Sequence, residues 1–299
     1  MENFFLIGAL IFVGYVFRRL NIFDTNIALG LNKFVIYISL PPLIILQISK
    51  LTFSMELLIP VVISWSVMIV SALIVLGISK FMHFSKEIVG MLMLVAVLTN
   101  SSFLGLPIIH SYYGEKAIPY IMVYDQLGTF LFLAIYGTII TAFYSAKTKV
   151  TASIIVYKVV TFPPFIALLI ALLLNGVALP SVIETTFGML AATVIPLALV
   201  AVGLQLEFKL PKDEYKPFGM ALLIKLFLAP LVALGICYVF QWNNLAAKVS
   251  ILEAAMAPMI TAAAMASMAG LAPRLSSAIV GYGVVFSFLS SYVFYLLVL

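Results

Sequence analysis

A polar stretch interrupts an apolar segment in the first half of the chain. The segment from Ile88 to Ile109 is long enough to span a bilayer, and it contains Asn100, Ser101, Ser102 and Pro107. A helix that continued through the proline would lose a backbone hydrogen bond and clash with its preceding turn. Hydrocarbon cannot satisfy the freed polar groups, so such a break survives only inside protein or beside a wet cavity. The amide and hydroxyls at this break are therefore candidates for binding a small polar ligand.

Each polar group at the break also has a purely structural alternative. Asn100 could donate its amide to a substrate carboxylate or cap backbone groups of the broken helix, and its depth favours the first role. Ser101 and Ser102 fit either a ligand contact or a bond back to their own helix. The residues after each break, Leu104 to Leu106 here and Met259 to Thr261 in the second half, are expected to offer free N–H groups to an anion.

A second break lies one half-chain later. Pro258 interrupts the apolar segment from Leu245 to Met268. One break alone would favour a simple proline kink, whereas two breaks at matching places favour the discontinuous helices of a secondary-transporter substrate site. Pro107, Pro258, Met259 and Thr261 are therefore included among the candidate substrate-binding residues.

Three ionisable residues lie within apolar segments, where charges are costly and usually functional. Asp125 is a candidate site for a proton or a sodium ion, and the alternative is a structural ion pair with Lys225. Lys225 either attracts an anionic substrate or snorkels toward the cytoplasm, with snorkelling slightly favoured. Glu253 fits ion coupling and the lining of an outer vestibule equally well.

Prolines and glutamines recur between the two halves. Pro41 and Pro196 are expected to kink helices of the wall that faces the breaks, and Gln47 and Gln205 are minor polar candidates beside them. Pro41 and Gln47 are accordingly included as candidate substrate contacts.

Composition places the chain in the membrane. Of its 299 residues, 65% are hydrophobic and 9% are charged, against about 25% charged in soluble domains. Basic residues are scattered singly between apolar spans, which argues against nucleic acid as a partner. The single cysteine excludes an internal disulfide and a Cys-rich metal site. No nucleophile elbow, metal-protease motif or phosphate-binding loop is present, so neither an enzyme nor a metal or organic cofactor is expected.

Ten membrane spans are predicted from the apolar segments. They cover about residues 3–20, 27–48, 57–79, 87–111, 118–144, 159–174, 182–206, 217–240, 245–268 and 275–299. Eleven lysines and arginines, including Lys147, Lys149, Lys209 and Lys212, fall in one set of loops, and only Lys50, Lys116 and Lys248 fall in the other. The positive-inside rule then predicts a multi-pass protein of the cell membrane with both termini outside.

The two halves of the chain show a weak internal repeat. Leu40 to Phe53 aligns with Ile195 to Phe208 at an offset of about 155 residues, and Tyr113-Gly114 aligns with Ala269-Gly270 at 156. Each half holds five spans, and an odd number inverts the second half in the membrane. The predicted units are a first repeat at 1–144, a short cytoplasmic connector at 145–158 and a second repeat at 159–299.

Four stretches together resemble the auxin efflux carrier family, within the wider superfamily of bile-acid, arsenite and riboflavin transporters. The stretches are Leu40-Pro41-Pro42-Leu43, Asn100 through Gly105-Leu106-Pro107 to Tyr113-Gly114, Ile195-Pro196-Leu197-Ala198 to Gly203-Leu204-Gln205-Leu206, and Glu253-Ala254-Ala255-Met256-Ala257-Pro258. The short connector is similar to that of compact prokaryotic members. The second break carries no asparagine, unlike plant members, which argues against auxin itself as the substrate.

The resemblance implies an all-α fold of ten transmembrane helices in two inverted five-helix repeats. It implies a scaffold of spans 1, 2, 6 and 7, a transport domain of spans 3–5 and 8–10, and substrate at the crossing of spans 4 and 9. A small carboxylate, auxin-like or resembling malate or malonate, is the expected substrate. Proton or sodium coupling and a homodimer through scaffold helices are further expectations.

The function predicted from the sequence is therefore secondary transport of a small organic anion by alternating access. An anion channel is the first alternative, but it would need a continuous polar stripe, and the polar residues here are isolated points. A non-transporting membrane sensor is the second alternative, although the sequence offers no cytoplasmic signalling domain.

Overall fold

The described part of the chain is helical. A computed structural model describes residues 2–23, 27–50, 54–145, 152–208, 210 and 214–299. Within these ranges no strand forms, and extended pairing is confined to an isolated antiparallel bridge between Thr99 and Pro258. The helices are α1 (Glu2–Arg19), α2 (Ile27–Ile48), α3 (Met55–Phe81), α4 (Lys86–Val95), α5 (Ser101–Gly105 continued by Leu106–Tyr113), α6 (Glu115–Tyr144), α7 (Ala152–Val160), α8 (Pro163–Leu173), α9 (Ser181–Gln205), α10 (Tyr215–Val239), α11 (Leu245–Ala254), α12 (Ile260–Met268) and α13 (Pro273–Val298).

Six of the described helices are long and apolar enough to cross a membrane, namely α2, α3, α6, α9, α10 and α13. This confirms an all-helical, multi-pass membrane protein. Helix α8 is apolar but shorter, and the predicted fourth and ninth spans are each divided into two short helices, α4–α5 and α11–α12. The count of ten spans therefore stays a prediction.

The region between the two halves differs from the predicted connector. Helix α7 occupies much of the stretch that the sequence suggested was a loop, and Phe162 then adopts an extended conformation before α8. Pro163 begins α8 because a proline at the first helical position needs no hydrogen-bond donor. Residues 51–53 of the predicted repeat, and Lys147, Lys149, Lys209 and Lys212 of the basic loops, lie outside the described residues.

Left-handed backbone conformations end matching helices in the two halves. Asn21, His83 and Gly114 follow α1, α3 and α5 with positive φ angles. Gly176, Gln241 and Gly270 follow α8, α10 and α12, also with positive φ angles, 155, 158 and 156 positions later. A residue with positive φ commonly follows the last turn of a helix, and these residues occur at similar spacings in the two halves of the chain.

The helices pack into two groups. Helix α1 packs on α9, and α2 packs on α8 and α9. Helix α3 packs on α10, α11 and the middle of α6, while α12 packs on α4 and α13. At the α1–α9 contact a Cβ on Gly203 would lie 2.9 Å from the backbone nitrogen of Tyr15, so this approach requires glycine. Helix α5 contacts α1 and α9 and thereby joins the two groups.

Candidate functional site at the crossing of two interrupted helices

The two interrupted helices cross through their extended breaks. The N–H of Asn100 donates to the carbonyl of Ala257 at 3.0 Å, and the N–H of Met259 donates to the carbonyl of Leu98 at 3.0 Å. Pro258 lies between these two bonds and has no N–H to pair. Backbone groups that each break leaves unpaired are thus hydrogen-bonded by the other break. A break that is buried away from water requires such partners.

Local sequence signals set where the helices before the breaks begin. The Ser85 hydroxyl accepts from the N–H of Ile88 at the start of α4, and the Asn244 side chain accepts from the N–H of Ala247 at 3.0 Å at the start of α11. Both are N-cap contacts. Each capped helix then runs for ten residues before its break, so the caps place both breaks at the same distance along their helices.

Asn100 is buried with an unpartnered amide. Asn100 is 2% exposed. Among the described residues, its Nδ2 has no hydrogen-bond partner. The side chain of Asn100 therefore does not cap the helix after the break. A buried donor without an acceptor costs free energy that a ligand can recover, which makes this amide the candidate donor of the site.

Asp125 lies next to the start of α5. The Ser101 hydroxyl donates to Oδ1 of Asp125 at 2.5 Å, and Gln126 Nε2 donates to Oδ2 at 2.6 Å. Asp125 is 3% exposed. The Ser101 hydroxyl thus hydrogen-bonds a residue of α6 and not its own helix. Ser102 is half-buried beside it. Gln126 was absent from the predicted site, although its position next to a membrane-embedded carboxylate was a usable signal.

Lys225 reaches the crossing from α10. It is fully buried, and its Nζ donates to the hydroxyl of Thr99 and, at 3.0 Å, to the carbonyl of Ala254. The snorkelling interpretation is therefore wrong. The salt bridges within the described residues do not join it to Asp125, so the proposed structural ion pair is not formed. Thr99, which the sequence did not single out, connects this lysine to the break.

Glu253 is buried against α5. It is fully buried, and in the part of the chain that the structure describes neither carboxylate oxygen has a hydrogen-bond partner. A Cβ on Gly105 would lie 2.8 Å from its Oε1. In this structure Glu253 therefore does not line an open outer vestibule. Asp125 and Lys225 lie near enough to Glu253 for their charges to interact with it. The crossing thus brings together three ionisable groups that are far apart in the sequence.

The N–H groups after the breaks are less available than predicted. Those of Gly105 and Leu106 donate to the carbonyls of Asn100 and Ser101, because the half-helix starts earlier than expected. The N–H of Met259 is bonded across the crossing. The N–H groups of Gly105, Leu106 and Met259 are therefore not free to bind an anion. Within the described residues, an unpartnered donor lies on the Asn100 side chain.

The remaining candidates are spread over the structure. The side-chain amide of Gln47, on α2, donates to the carboxylate of Glu115, at the start of α6, at 3.1 Å. Gln205 donates to a carbonyl of its own helix at 2.8 Å. Thr261 is exposed on α12, Pro107 is buried in α5, and Pro41 is half-buried in α2. The hydrogen bonds of the described residues join none of these to Asn100.

A polar cavity of about 390 Å³ lies between the two helix groups. Its lining includes Arg18 and Gln205 from one group, and Ile260 and Ser267 from the other. Ile260 is the first residue of α12, two positions after Pro258. The cavity therefore extends from the end of the molecule that carries Arg18 toward the residues of the second break.

Comparison with known proteins identifies the family of this chain. The model of a family described as "Membrane transport protein" matches residues 1–295. The chain belongs to this family, the auxin efflux carrier family. The resemblance found in the sequence is thereby confirmed, and the chain is a membrane transporter of this family.

Two archaeal relatives in the family align over most of their length. A protein of Methanothermobacter thermautotrophicus is 27% identical over 269 residues, which are 89% of this chain and 87% of the relative. A protein of Methanocaldococcus jannaschii is 28% identical over 265 residues, or 86% of this chain and 85% of the relative. Each is named only as an uncharacterized transporter.

Proposed function

We propose that this carrier is a secondary transporter that moves a small organic anion across the cell membrane by alternating access. The observation that carries the proposal is the buried, unpartnered amide of Asn100 at the crossing of two interrupted helices. Discontinuous helices at mid-depth are how many secondary transporters build a substrate site. An amide N–H group is a suitable donor to a carboxylate oxygen.

Two inverted repeats of five helices are part of the proposal. The helix before each break begins at Lys86 and at Leu245 and ends at Val95 and at Ala254, so both boundaries are 159 positions apart. The left-handed residues that end matching helices add support, with spacings of 155 to 158. With α1, α8 and the two interrupted pairs counted as spans, each half crosses the membrane five times, which an inverted repeat requires.

The helix groups support the proposed division into scaffold and transport domain. The scaffold would contain α1, α2, α8 and α9, and the transport domain would contain α3–α6 and α10–α13. The polar cavity lies at the Arg18 end, which the charge distribution assigns to the cytoplasm. At the opposite end Gln47 of the scaffold contacts Glu115 of the transport domain. We interpret this arrangement as the inward-facing state.

The charges at the crossing favour coupled transport. Asp125 and Glu253 would both repel an anion bound at Asn100, and one lysine offsets only one of them. Binding of a proton or a sodium ion at Asp125 or Glu253 would remove that repulsion. Uncoupled export of an anion from a negative interior would instead gain about 2.3 kcal/mol per charge per 100 mV.

The substrate class follows from the family. A malate- or malonate-like carboxylate is expected, and an auxin-like acid is the second class to test. Both termini would lie outside, and a homodimer would form through scaffold helices that face the bilayer.

Counterflow in proteoliposomes tests the proposal. Vesicles loaded with unlabelled carboxylate should accumulate the labelled compound transiently above its external concentration, because a carrier exchanges substrate across an alternately accessible site. An anion channel would let the label equilibrate without overshoot. A sensor would give no uptake above that of empty vesicles, and either outcome would contradict the proposal.

A further inference from the structure

We infer that the ammonium group of Lys225 serves as a built-in cation of the crossing, in the place where a sodium-dependent carrier would bind a metal ion. The inference deepens the proposed function, since it rests on the crossing being the substrate site. It also makes a claim about stability that can be tested without any substrate.

Lys225 hydrogen-bonds a carbonyl at the C-terminal end of α11. The last carbonyls of a helix lack intrahelical partners and carry partial negative charge. Those of Ile251, Leu252 and Glu253 accept from residues 255 and 256 just past the helix end. The carbonyl of Ala254, the last residue of the helix, accepts instead from Lys225 Nζ at 3.0 Å. The ammonium group therefore caps the negative end of the helix before the break.

The same group contacts the other interrupted helix. Its second acceptor is the hydroxyl of Thr99, which lies in the break between α4 and α5. One ammonium group thus bonds both breaks. It is held there by a π-helical turn, Ile224–Leu228, within α10, and such turns are frequent at functional sites.

The groups around the ammonium are those that bind a small hard cation. Unwound carbonyls and helix C-terminal ends coordinate sodium in discontinuous-helix transporters, and carboxylate oxygens are ligands of hard cations in general. Here the set is the carbonyl of Ala254, the hydroxyl of Thr99 and the nearby charge of Glu253, which is buried without a hydrogen-bond donor. A buried carboxylate needs compensation, and a tethered ammonium supplies it without depending on external salt.

Chemical rescue tests the inference. Purified Lys225→Ala protein should melt at a lower temperature than wild type, and added methylammonium or sodium should raise its melting temperature by about 2–4 °C at saturation. Choline chloride at the same ionic strength should have no such effect. Wild type and Lys80→Ala, which removes an exposed lysine at the end of α3, should gain less than about 1 °C from either cation.

Two outcomes of this experiment would overturn the inference. One is a Lys225→Ala protein that melts at the wild-type temperature. The other is a destabilised variant that gains nothing from either cation beyond the wild-type response.

A second pair of variants keeps the test decisive where Lys225→Ala does not fold. If the ammonium compensates Glu253, the double variant Lys225→Met with Glu253→Gln should be more stable than Lys225→Met alone. A double variant no more stable than Lys225→Met would contradict the inference. Failure of the proposed function would look different, because cation rescue would persist while no organic anion stabilised or crossed the membrane.

Discussion

Thr99 and Pro258 lie opposite each other where the two interrupted helices cross. Their neighbours exchange two backbone hydrogen bonds of 3.0 Å, and Thr99 also accepts from Lys225 on a third helix. A small movement of either break would therefore also displace the other break and α10. This relationship explains how one site can hold three ionisable groups from α6, α10 and α11 around one unpartnered amide.

The contact between α5 and Glu253 makes Gly105 sensitive to substitution. In Gly105→Ala the new Cβ would lie 2.8 Å from Oε1 of Glu253, and the fully buried carboxylate has little room to move. We expect a loss of about 1–3 kcal/mol in unfolding free energy, as for other overpacked sites. Thermal unfolding in detergent measures this loss.

Gly77→Ala is the matched control, because Gly77 is in a long helix and its Cβ would meet nothing within 4 Å. It should be neutral or stabilising by up to about 1 kcal/mol. In a Glu253→Ala background the same glycine substitution should cost much less, because the carboxylate that the new Cβ meets is gone. Equal melting temperatures for the two glycine variants would contradict this account of the contact.

Asp125→Asn should remove the dependence of uptake on a proton or sodium gradient. The substitution keeps the size of the side chain and removes the carboxylate that Ser101 and Gln126 hold in place. Uptake by proteoliposomes under imposed gradients measures the effect. Glu184→Gln, which removes the exposed ion pair between Glu184 and Lys50 on the scaffold, should keep the dependence. An unchanged gradient dependence in Asp125→Asn would show that Asp125 is not the coupling group.

Linking the two domains at the outer end should stop transport. With the native cysteine replaced by serine, cysteines at Gln47 and Glu115 can be joined by a short bifunctional thiol reagent, since these side chains meet at 3.1 Å. The link would prevent the outward-facing state, so uptake should fall to background and return when a cleavable linker is cut.

The control for this experiment links two scaffold residues. Lys50 and Glu184 approach at 2.9 Å, and both lie in the proposed scaffold, so their link should leave uptake near the unlinked rate. Full activity in the linked Gln47–Glu115 protein would contradict alternating access between these two groups of helices.

Cysteine labelling tests the orientation. Lys147→Cys should react with a membrane-impermeant maleimide only after the cytoplasmic face is exposed, whereas Lys116→Cys should react in intact cells. The expectation follows from the excess of basic residues in the loops on one side. Labelling of Lys147→Cys in intact cells would reverse the orientation and place the polar cavity on the outside.

Much of the fold could be predicted from the sequence because hydropathy and proline are local signals. The apolar runs gave helix boundaries within a few residues, and Pro107 and Pro258 pointed to the interrupted helices. The exact starts of the half-helices were missed, since the turn from Ser101 to Gly105 is π-helical and no proline or cap marks it. The helix at Ala152–Val160 was missed because its basic flanks are typical of a loop.

The site was harder to predict because it depends on contacts between distant residues. Asn100, Asp125 and Glu253 could be selected as polar groups in apolar segments. The position of Lys225 along its segment suggested snorkelling, and only the packing of α10 on α11 shows that its Nζ reaches Ala254. Thr99 carried no signal, since a lone hydroxyl in a membrane helix most often bonds its own backbone.

The most direct test of the central claim is ligand-induced stabilisation of purified wild type, Asn100→Ala and Asn243→Ala. Asn243 is exposed between α10 and α11, so its variant controls for loss of an asparagine. A panel of small carboxylates and indole acids, with amines and sugars as comparison compounds, would be screened by melting temperature. We predict that at least one acid stabilises wild type and Asn243→Ala and has no effect on folded Asn100→Ala. Equal stabilisation of Asn100→Ala, or a response only to compounds that are not acids, would contradict an organic-anion site at the crossing.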